Sequence, residues 1–233
     1  MTHFAFTLAG AALRARASGA LWWPERRLLA VSDLHLGKSG RIARRGGALL
    51  PPYETRDTLA RLDAEIEALA PAEVICLGDS FDDLAAAALP EPEALWLARL
   101  MAGRRWIWIE GNHDPGPVDL GGQHLADLRA GPLTFRHIAR PGAEGEVSGH
   151  YHPKARLPGG GAARACFLLD ATRAILPAFG TYTGGLDCGS PVLAGLMADT
   201  ALAVLTGPRA IALPARPGLS RSRPKRPPRG SFG

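Results

Sequence analysis

Residues 106–114 read WIWIEGNHD, and this stretch decides the fold. Its apolar first part predicts a strand buried on both faces, and the glycine turn after it carries an amide, an imidazole and a carboxylate. Two earlier runs end in the same way, because Leu28–Ser32 precedes Asp33-Leu34-His35 and Glu73–Leu77 precedes Gly78-Asp79. Three buried strands are therefore expected to deliver polar groups at their C-terminal ends.

Amphipathic helices are predicted between these strands. From Tyr53 to Leu69, apolar residues recur at steps of three and four, as in a helix with one buried face. The segment Glu91–Met101 predicts a second helix, opened by prolines and closed by Gly103. The alternation predicts parallel strands in an α/β fold, in which ligands gather beyond the carboxyl ends of the strands.

The rest of the chain is typical of short strands. Three precede the first motif, at Phe4–Leu8, Ala12–Arg16 and Ala20–Trp23, and the Arg- and Gly-rich segment from Lys38 to Pro52 predicts a loop. After Pro115 the pattern predicts a second, more antiparallel sheet packed on the first. Its expected strands are Leu133–Phe135, Gly145–Val147, Ala165–Leu169, Arg173–Leu176, Ala201–Leu205 and Ala210–Leu213.

Composition favours one globular domain, residues 1–214, and a basic tail, residues 215–233. The 233 residues are 46% hydrophobic and 21% charged, which suits a soluble protein with one sizeable core. From Arg216 to Arg229 the tail has six Lys or Arg and no acidic residue, a composition that predicts disorder. The formal net charge of +5 favours anionic partners such as nucleic acid.

Cysteine usage and hydropathy indicate the compartment. The three cysteines show no paired spacing, which favours a reducing environment. No apolar run approaches the roughly 20 residues that span a bilayer, so no membrane partner is expected. The segment Phe4–Leu13 lacks the basic start of a signal peptide. A cytoplasmic location is therefore predicted.

A fourth motif, Gly149-His150-Tyr151-His152, completes a metal-ligand set. One Asp-x-His pair occurs by chance in most chains, but four such motifs in order supply more ligands than one ion needs. Carboxylates and imidazoles suit Mn, Fe or Zn, and the glycines at 78, 111 and 149 allow sharp backbone turns near the ions. Two divalent ions with a histidine beside them are suited to attack on phosphate esters.

With all four motifs in place, residues 30–153 resemble the calcineurin-like metallophosphoesterases. The resemblance implies a four-layer αββα sandwich of two packed mixed β-sheets. It also implies two divalent metal ions, with Mn favoured and Fe, Zn or Mg as alternatives. The first ion would bind Asp33, His35, Asp79 and His152, and Asp79 would bridge to a second ion that Asn112 and His150 also bind.

The resemblance implies three further site residues. One more histidine is expected on the second ion, and His137 and His124 are the alternatives. His137 is favoured because it follows the predicted strand Leu133–Phe135 and shortly precedes His150. His113 would lie beside the scissile phosphate without binding metal, and Asp114 would orient it.

A narrower resemblance, to the ligase-associated DNA damage response endonucleases, covers most of residues 28–190. It rests on LGK at 36–38 with Arg41, Arg44, Gly46-Gly47 and Leu50-Pro51, on GDSFDD at 78–83, on GHYHP at 149–153 and on PAFGTYTGG at 177–185. This resemblance implies a DNA endonuclease of DNA repair that acts on single-stranded or damaged DNA. Its partners would be repair proteins such as a ligase or a helicase.

Several roles and functions stay open at this stage. Lys38, Arg41 and Arg44 form a basic run that either grips phosphates or is solvated surface, and Tyr182 is a further candidate substrate contact. Asp82 either caps a helix or holds a ligand histidine. The alternative functions are a phosphatase or phosphodiesterase for a small nucleotide or lipid-linked substrate, and a metal-binding scaffold without turnover.

Overall fold

The first β-sheet contains the strands that precede the first three motifs. The computed structural model describes residues 1–44, 46, 53–83, 88–116 and 120–216. Within these residues the sheet has seven strands in chain order: β1 (His3–Leu8), β2 (Ala11–Arg16), β3 (Leu21–Trp23), β4 (Leu28–Val31), β5 (Glu73–Leu77), β6 (Arg105–Ile109) and β7 (Gln123–Leu125). Strands β1 to β4 are antiparallel, whereas β4 to β7 are parallel, as the strand–helix alternation predicted.

The second sheet is also mixed and has eight strands in the described part of the chain. They are β8 (Asp127–Ala130), β9 (Leu133–Arg136), β10 (Glu146–Ser148), β11 (Lys154–Ala155), β12 (Arg164–Leu169), β13 (Arg173–Ile175), β14 (Leu202–Leu205) and β15 (Ile211–Pro214). The order is β15-β14-β12-β13-β10-β9-β8, with β11 paired to β12. Strand β10 runs parallel to both of its neighbours, and the other pairs are antiparallel.

Four helices complete the described secondary structure, apart from a short 3-10 turn at Pro24–Arg26. They are α1 (Lys38–Arg44), α2 (Glu54–Leu69), α3 (Glu91–Met101) and α4 (Pro191–Leu196). The predictions of α2 and α3 are confirmed. None of the helices in the described residues is long and apolar enough to cross a membrane.

Three apolar clusters show how the layers pack. The central cluster joins inward-facing side chains of both sheets, such as Leu28 and Ile107 from the first and Phe135 and Phe167 from the second. A second cluster packs α2 and α3 on the outer face of the first sheet. A third places Leu193 of α4 against the outer face of the second sheet. The predicted αββα sandwich of two mixed sheets is therefore confirmed.

Helix α1 corrects the prediction of a loop from Lys38 to Pro52. The helix forms because its start is bonded to α2: the backbone N–H and hydroxyl of Ser39 donate to Glu54, at 2.9 and 2.7 Å, and the Gly37 N–H donates to Thr55. These partners lie 15 or more residues away in the chain, so local sequence does not reveal them. Residues 47–52, the end of the predicted loop, lie outside the described residues.

Besides α1, four of the strands and helices were not predicted: β7, β8, β11 and α4. Strands β7, β8 and β11 are only two to four residues long, and α4 is shorter than two turns, so none has a clear period. At the other end, Ala215 is buried and Arg216 donates to Asp199 and to the Met197 carbonyl. Both residues were assigned to the tail, yet they pack on the domain; residues 217–233 lie outside the described part.

Candidate metal centre

The four motif loops meet at one end of the sandwich. Hydrogen bonds join them in pairs: the Asp33 N–H donates to the Gly78 carbonyl at 3.2 Å, and the His35 N–H donates to the Asp79 carbonyl at 2.9 Å. The His150 N–H crosses from the second sheet and donates to the Asp33 carboxylate at 2.9 Å. Because β4, β5, β6 and β10 all end here, residues more than 100 positions apart form one centre.

The backbone at the candidate ligands is left-handed. Asp33, His35, Asp79, His150 and His152 all have φ between 45° and 70°. Left-handed conformations are uncommon for residues with a side chain and cost on the order of 1–3 kcal/mol each when the surroundings enforce them. In each Asp-x-His or His-x-His pair both members are left-handed, which bends the loop so that the two side chains converge.

The three motif glycines have two different roles. Gly78 has φ +73°, so it supplies the predicted backbone turn. Gly111 and Gly149 instead supply space. A Cβ at Gly111 would collide with Asp79, and a Cβ at Gly149 would collide with the Ser32 hydroxyl.

The first group of candidate ligands is Asp33, His35 and His152, whose ligand atoms lie within 4.8 Å of one another. His152 Nε2 is 3.1 Å from Asp33 Oδ1, yet the two atoms lack hydrogen-bond geometry. Within the described residues, these two atoms and His35 Nε2 are buried without a hydrogen-bond partner. Buried polar atoms that face a common point without bonding to one another fit a metal ion between them.

The second group is Asp79, His137 and His150, with Asn112 beside it. His137 Nδ1 donates to the Leu77 carbonyl at 2.9 Å, so its Nε2 presents a lone pair. That Nε2 lies 3.0 Å from Asn112 Oδ1, 3.2 Å from His150 Nδ1 and 3.4 Å from Asp79 Oδ2. These four atoms suit a second ion. His124, the alternative to His137, is on strand β7, where its ring stacks on that of Trp108.

Electrostatics favours the protonation states of ligands at Asp33, Asp79 and His150, whereas at His137 the contacts with Asp79 and Asp33 outweigh burial and raise the pKa. Burial opposes ionisation of Asp33, but contacts with His152 and His137 outweigh it and lower its pKa. The pKa of Asp79 is lowered in the same way, mainly by His137. Burial and the nearby His137 lower the pKa of His150, which favours the neutral imidazole that binds metal.

Asp82 lies at the centre of a positioning network. Its buried Oδ1 is 2.9 Å from His35 Nδ1, which leaves His35 Nε2 to face the first group. Its Oδ2 accepts a hydrogen bond from Arg41 on α1, and Lys38 Nζ lies 3.9 Å from Oδ1. Burial opposes ionisation, but His35 and then Arg41 outweigh it and lower the pKa of Asp82. Of the two roles considered for Asp82, the structure shows the contact with a ligand histidine.

His113 is placed beside the candidate ligands by two backbone contacts. Its N–H donates to Asp79 Oδ1 at 2.9 Å, and its ring Nδ1 lies 2.9 Å from the carbonyl oxygen of Asp82. A carbonyl accepts only, so Nδ1 carries a proton and Nε2 is the nitrogen that can exchange one. The ring is partly exposed and lies 5.3 Å, centroid to centroid, from that of His35.

Asp114 contacts the backbone rather than the ring of His113. Its carboxylate accepts from the N–H groups of Ser80, Phe81 and Gly111, at 2.8, 3.2 and 3.2 Å. Burial, followed by repulsion from Asp79, raises the pKa of Asp114 to about 6 against these hydrogen bonds. Asp114 therefore fastens the Asp79 loop to the loop that carries His113, and Asp82 supplies the contact to the ring.

Two of the candidate substrate contacts, Lys38 and Arg41, lie on the His35 side of the centre. Lys38 and Arg41 point to Asp82, as described, and the side chain of Arg44 lies outside the described part. The Tyr182 ring lies 5.8 Å from that of Tyr53. The loop of Tyr182 is held to α2 by Arg61, which donates to the Phe179 carbonyl and to the Thr181 hydroxyl.

Sequence reasoning missed Ser32 as a site residue. It is fully buried, and its hydroxyl donates to Asp33 Oδ2, the oxygen that also accepts from His150. The signal that could have revealed it is a hydroxyl at the end of an apolar strand, directly before a candidate ligand. Ser32 and His150 together satisfy Oδ2 and leave Oδ1 of Asp33 to face the first group.

Comparison with known proteins agrees with this geometry. A family model described as calcineurin-like phosphoesterase matches residues 26–161, more than half of the chain. A crystal structure of the nuclease MPE from Pseudomonas putida is similar, with a TM-score of 0.72 and 30% sequence identity over 91% of this chain and 100% of that chain. The comparison with curated proteins found no match.

Proposed function

The chain belongs to the calcineurin-like phosphoesterase family and is a metal-dependent hydrolase, and on this premise we propose that it cuts phosphodiester bonds of DNA with two metal ions. The observation that carries the proposal is the convergence of two ligand groups, Asp33/His35/His152 and Asp79/His137/His150, at one end of the sandwich. The DNA part is supported by the likeness to a nuclease and by the net charge of +5.

The ligand assignment follows from the two groups. Asp33, His35 and His152 would hold one ion, and Asn112, His137 and His150 the other. Asp79, whose Oδ2 faces His137 and whose loop is bonded to that of His35, would be shared by the two ions, as the sequence resemblance implies. When bound, the two ions would generate a nucleophile from water near neutral pH and offset charge on the phosphoryl oxygens. The mixed carboxylate and imidazole donors fit Mn, Fe or Zn, and among these Mn is proposed as the resident metal.

His113 is proposed to assist the leaving group. The Asp82 carbonyl keeps a proton on Nδ1, so a second proton on Nε2 makes the ring an acid that faces the substrate. General acid catalysis by such a group contributes roughly 10²–10⁴-fold. Asp114 would keep His113 in place through the backbone, since its carboxylate bonds the loops on both sides.

Substrate contacts are proposed for side chains around the His35–His152 side. Lys38 lies beside Asp82, and Tyr182 follows the Phe179-Gly180 segment that is bonded to Ser32 and Asp33. Both side chains are partly exposed, which suits contacts to a flanking phosphate and to a base or sugar. Arg44 follows Lys38 on α1, in the same basic run. Arg41 is bonded to Asp82, so we assign it mainly to positioning of His35.

A cellular role in DNA repair is proposed from the narrower sequence resemblance. Single-stranded or damaged DNA is the expected substrate, and a ligase or a helicase the expected partner. The three cysteines of the described structure are free and buried, which supports a reducing, cytoplasmic environment.

The test of the nuclease proposal uses three substrates. Metal-reconstituted protein is given linear single-stranded DNA, circular single-stranded DNA and bis-p-nitrophenyl phosphate over a range of salt concentrations. Cleavage of the circle with a steep loss of DNA affinity in salt, against a small loss for the diester, supports a DNA endonuclease. His113→Ala protein, purified in parallel by the same procedure, is the control for contaminating nuclease. Cleavage of the small diester alone would favour the small-substrate alternative.

The two-metal proposal is tested by metal analysis. Folded, fully active protein should hold two ions per chain, and Asp79→Asn should lower occupancy at both positions because Asp79 bridges them. Asp63→Asn, on α2 where Asp63 contacts Arg99 of α3, is the matched control. A single ion per chain at full activity would refute the proposal, and a metal-loaded protein without turnover would favour the scaffold.

A further inference from the structure

A cleft of about 370 Å³ opens on the other side of the centre, away from α1. Asn112 and His137 form the wall that it shares with the second ligand group, and Pro115, Ile138 and Arg140 form much of the rest. A molecule bound in the cleft would therefore be continuous with one bound at the ions. None of the substrate contacts assigned above lies there.

The backbone of residues 137–140, which forms part of this wall, is anchored to a buried carboxylate. The backbone N–H of Arg140 donates to Glu146 Oε2 at 3.0 Å, and His137 and Ala139 are buried. Glu146 is itself fully buried and lies 3.4 Å from Arg173 and 3.5 Å from Arg136. The backbone from 137 to 140 is thus fixed, and the side chains of Ile138 and Arg140 project from it.

Those two side chains are more exposed than packing of the fold requires. Ile138 is 44% exposed beside a polar centre, and the Arg140 side chain is 69% exposed. The nearest carboxylate to Arg140 belongs to Asp127, at 3.9 Å, and Asp127 is shared with Arg136 at 3.5 Å. Glu110 also lines the cleft. An exposed guanidinium beside an exposed aliphatic side chain matches a nucleotide, which has one phosphate and one apolar face.

We infer that the cleft binds the nucleotide next to the cut bond, with Ile138 against its sugar or base and Arg140 on its phosphate. This inference rests on the proposed nuclease function and adds to it a second surface that contacts the DNA strand. A DNA strand alternates apolar faces with phosphates, so one such pair of side chains holds one unit in register. The opposite charge of phosphate and guanidinium supplies the attraction.

The test compares DNA with a substrate too small to reach the cleft. Arg140→Ala should raise KM for single-stranded DNA on the order of tenfold and reduce its salt slope by about one. Ile138→Ser should raise KM about fourfold, equivalent to roughly one buried methylene group. For both variants the ratio of kcat/KM for DNA to that for bis-p-nitrophenyl phosphate should fall by the same factors.

Matched controls isolate the cleft. Arg26→Ala changes an exposed arginine before β4, at the opposite end of the first sheet, and Ile211→Ser changes an exposed isoleucine on β15, at the far edge of the second. Neither should alter the ratio. If Arg140→Ala and Ile138→Ser leave the ratio unchanged while the parent cuts DNA, or lower both activities equally, the inference is overturned and the nuclease function stands. If the parent does not cut DNA, the proposed function itself fails.

Discussion

Asp82 connects a metal-ligand candidate, a catalytic candidate and a basic helix at the scale of single residues. Its carboxylate faces His35 and Arg41, and its carbonyl faces the ring of His113. One buried residue thus sets the orientation of two histidines with different roles. A change at Arg41 should weaken metal binding, although Arg41 contacts Asp82 and not a candidate ligand, because Asp82 orients His35.

We predict that Arg41→Ala weakens metal binding on the order of tenfold, at the lower end of effects seen for groups that orient ligands. Calorimetric titration of the folded protein with Mn²⁺ measures this without any substrate. Turnover of bis-p-nitrophenyl phosphate should fall as well, and Arg41→Lys should restore part of both. Arg56→Ala, which removes an exposed partner of Glu93, is the control. If only the KM for DNA rose, Arg41 would be a phosphate contact after all.

His113→Ala should separate chemistry from binding. The imidazole lies beside the ligand groups and keeps Nε2 free, so its loss should spare both ions and lower kcat by roughly 10²–10⁴-fold. The loss should be greater for alkoxide than for p-nitrophenolate leaving groups, since a poor leaving group needs the proton more. Comparison of kcat for a series of diesters measures this. Equal losses along the series would leave His113 with an electrostatic role only.

At the scale of elements, the turn between β12 and β13 depends on one carboxylate. Asp170 accepts from the Thr172 and Arg173 N–H groups in the turn, at 2.8 and 2.9 Å, and from the Ala198 N–H just after α4. Burial opposes ionisation, but the Ala198 bond and then those in the turn outweigh it and lower the pKa of Asp170. Its ionised form therefore ties α4 to the second sheet.

We predict a pH-dependent loss of stability in Asp170→Asn. A carboxyl group with a lowered folded pKa stabilises the protein above its unfolded pKa of about 3.9, and this contribution disappears as pH falls through the folded pKa. The variant should lose about 1 kcal/mol at pH 7, and the difference should shrink below about pH 4. Urea unfolding in EDTA measures it without metal effects. A difference that stays constant with pH would exclude the ionised carboxylate as the cause.

The sequence indicated the elements and the candidate ligands where one signal sufficed, and it failed where contacts are distant. Asp33, Asp79 and His150 were identifiable because each follows an apolar strand within a motif. Helix α1 was not, because Glu54 and Thr55 stabilise its start through side chains. The partner of Arg41 was hidden for the same reason: Asp82 lies 41 positions away, so the basic run suggested phosphate contacts instead.

At the scale of the whole molecule, the candidate ligands are divided between the two sheets. Asp33, His35, Asp79 and Asn112 follow strands of the first, whereas His137, His150 and His152 follow strands of the second. Bound ions would then link the sheets directly. A ligand that binds only the folded state stabilises it by about 2.7 kcal/mol per site at 100 times its Kd.

We therefore expect Mn²⁺ to raise the melting temperature and EDTA to lower it. His137→Ala should disturb only the second metal position, so part of the Mn²⁺-dependent increase in melting temperature should remain. Asp33→Ala should likewise retain the part that comes from the second group. His3→Ala, on β1, is a control histidine away from the centre. Calorimetric melting with and without metal measures these shifts. Identical melting curves in Mn²⁺ and EDTA would show that the ions do not link the sheets.

The tail prediction also belongs to this scale. Deletion of residues 217–233 removes five of the six basic residues of the tail, and it should weaken DNA binding modestly while sparing stability. Deletion from Ala215 should also lower the melting temperature, because Ala215 is buried and Arg216 bonds the end of α4. Equal melting temperatures for the two deletions would show that Ala215 and Arg216 add nothing to the fold.

The division of ligands between the sheets also bears on how the protein is made. The N-terminal half of a chain leaves the ribosome first, and it brings Asp33, Asp79 and Asn112 long before His137, His150 and His152. A nascent chain that stops before His150 has neither group complete. On the proposed ligand assignment, metal loading would be completed only after synthesis has passed residue 152, and a shorter nascent chain would not yet hydrolyse phosphate esters.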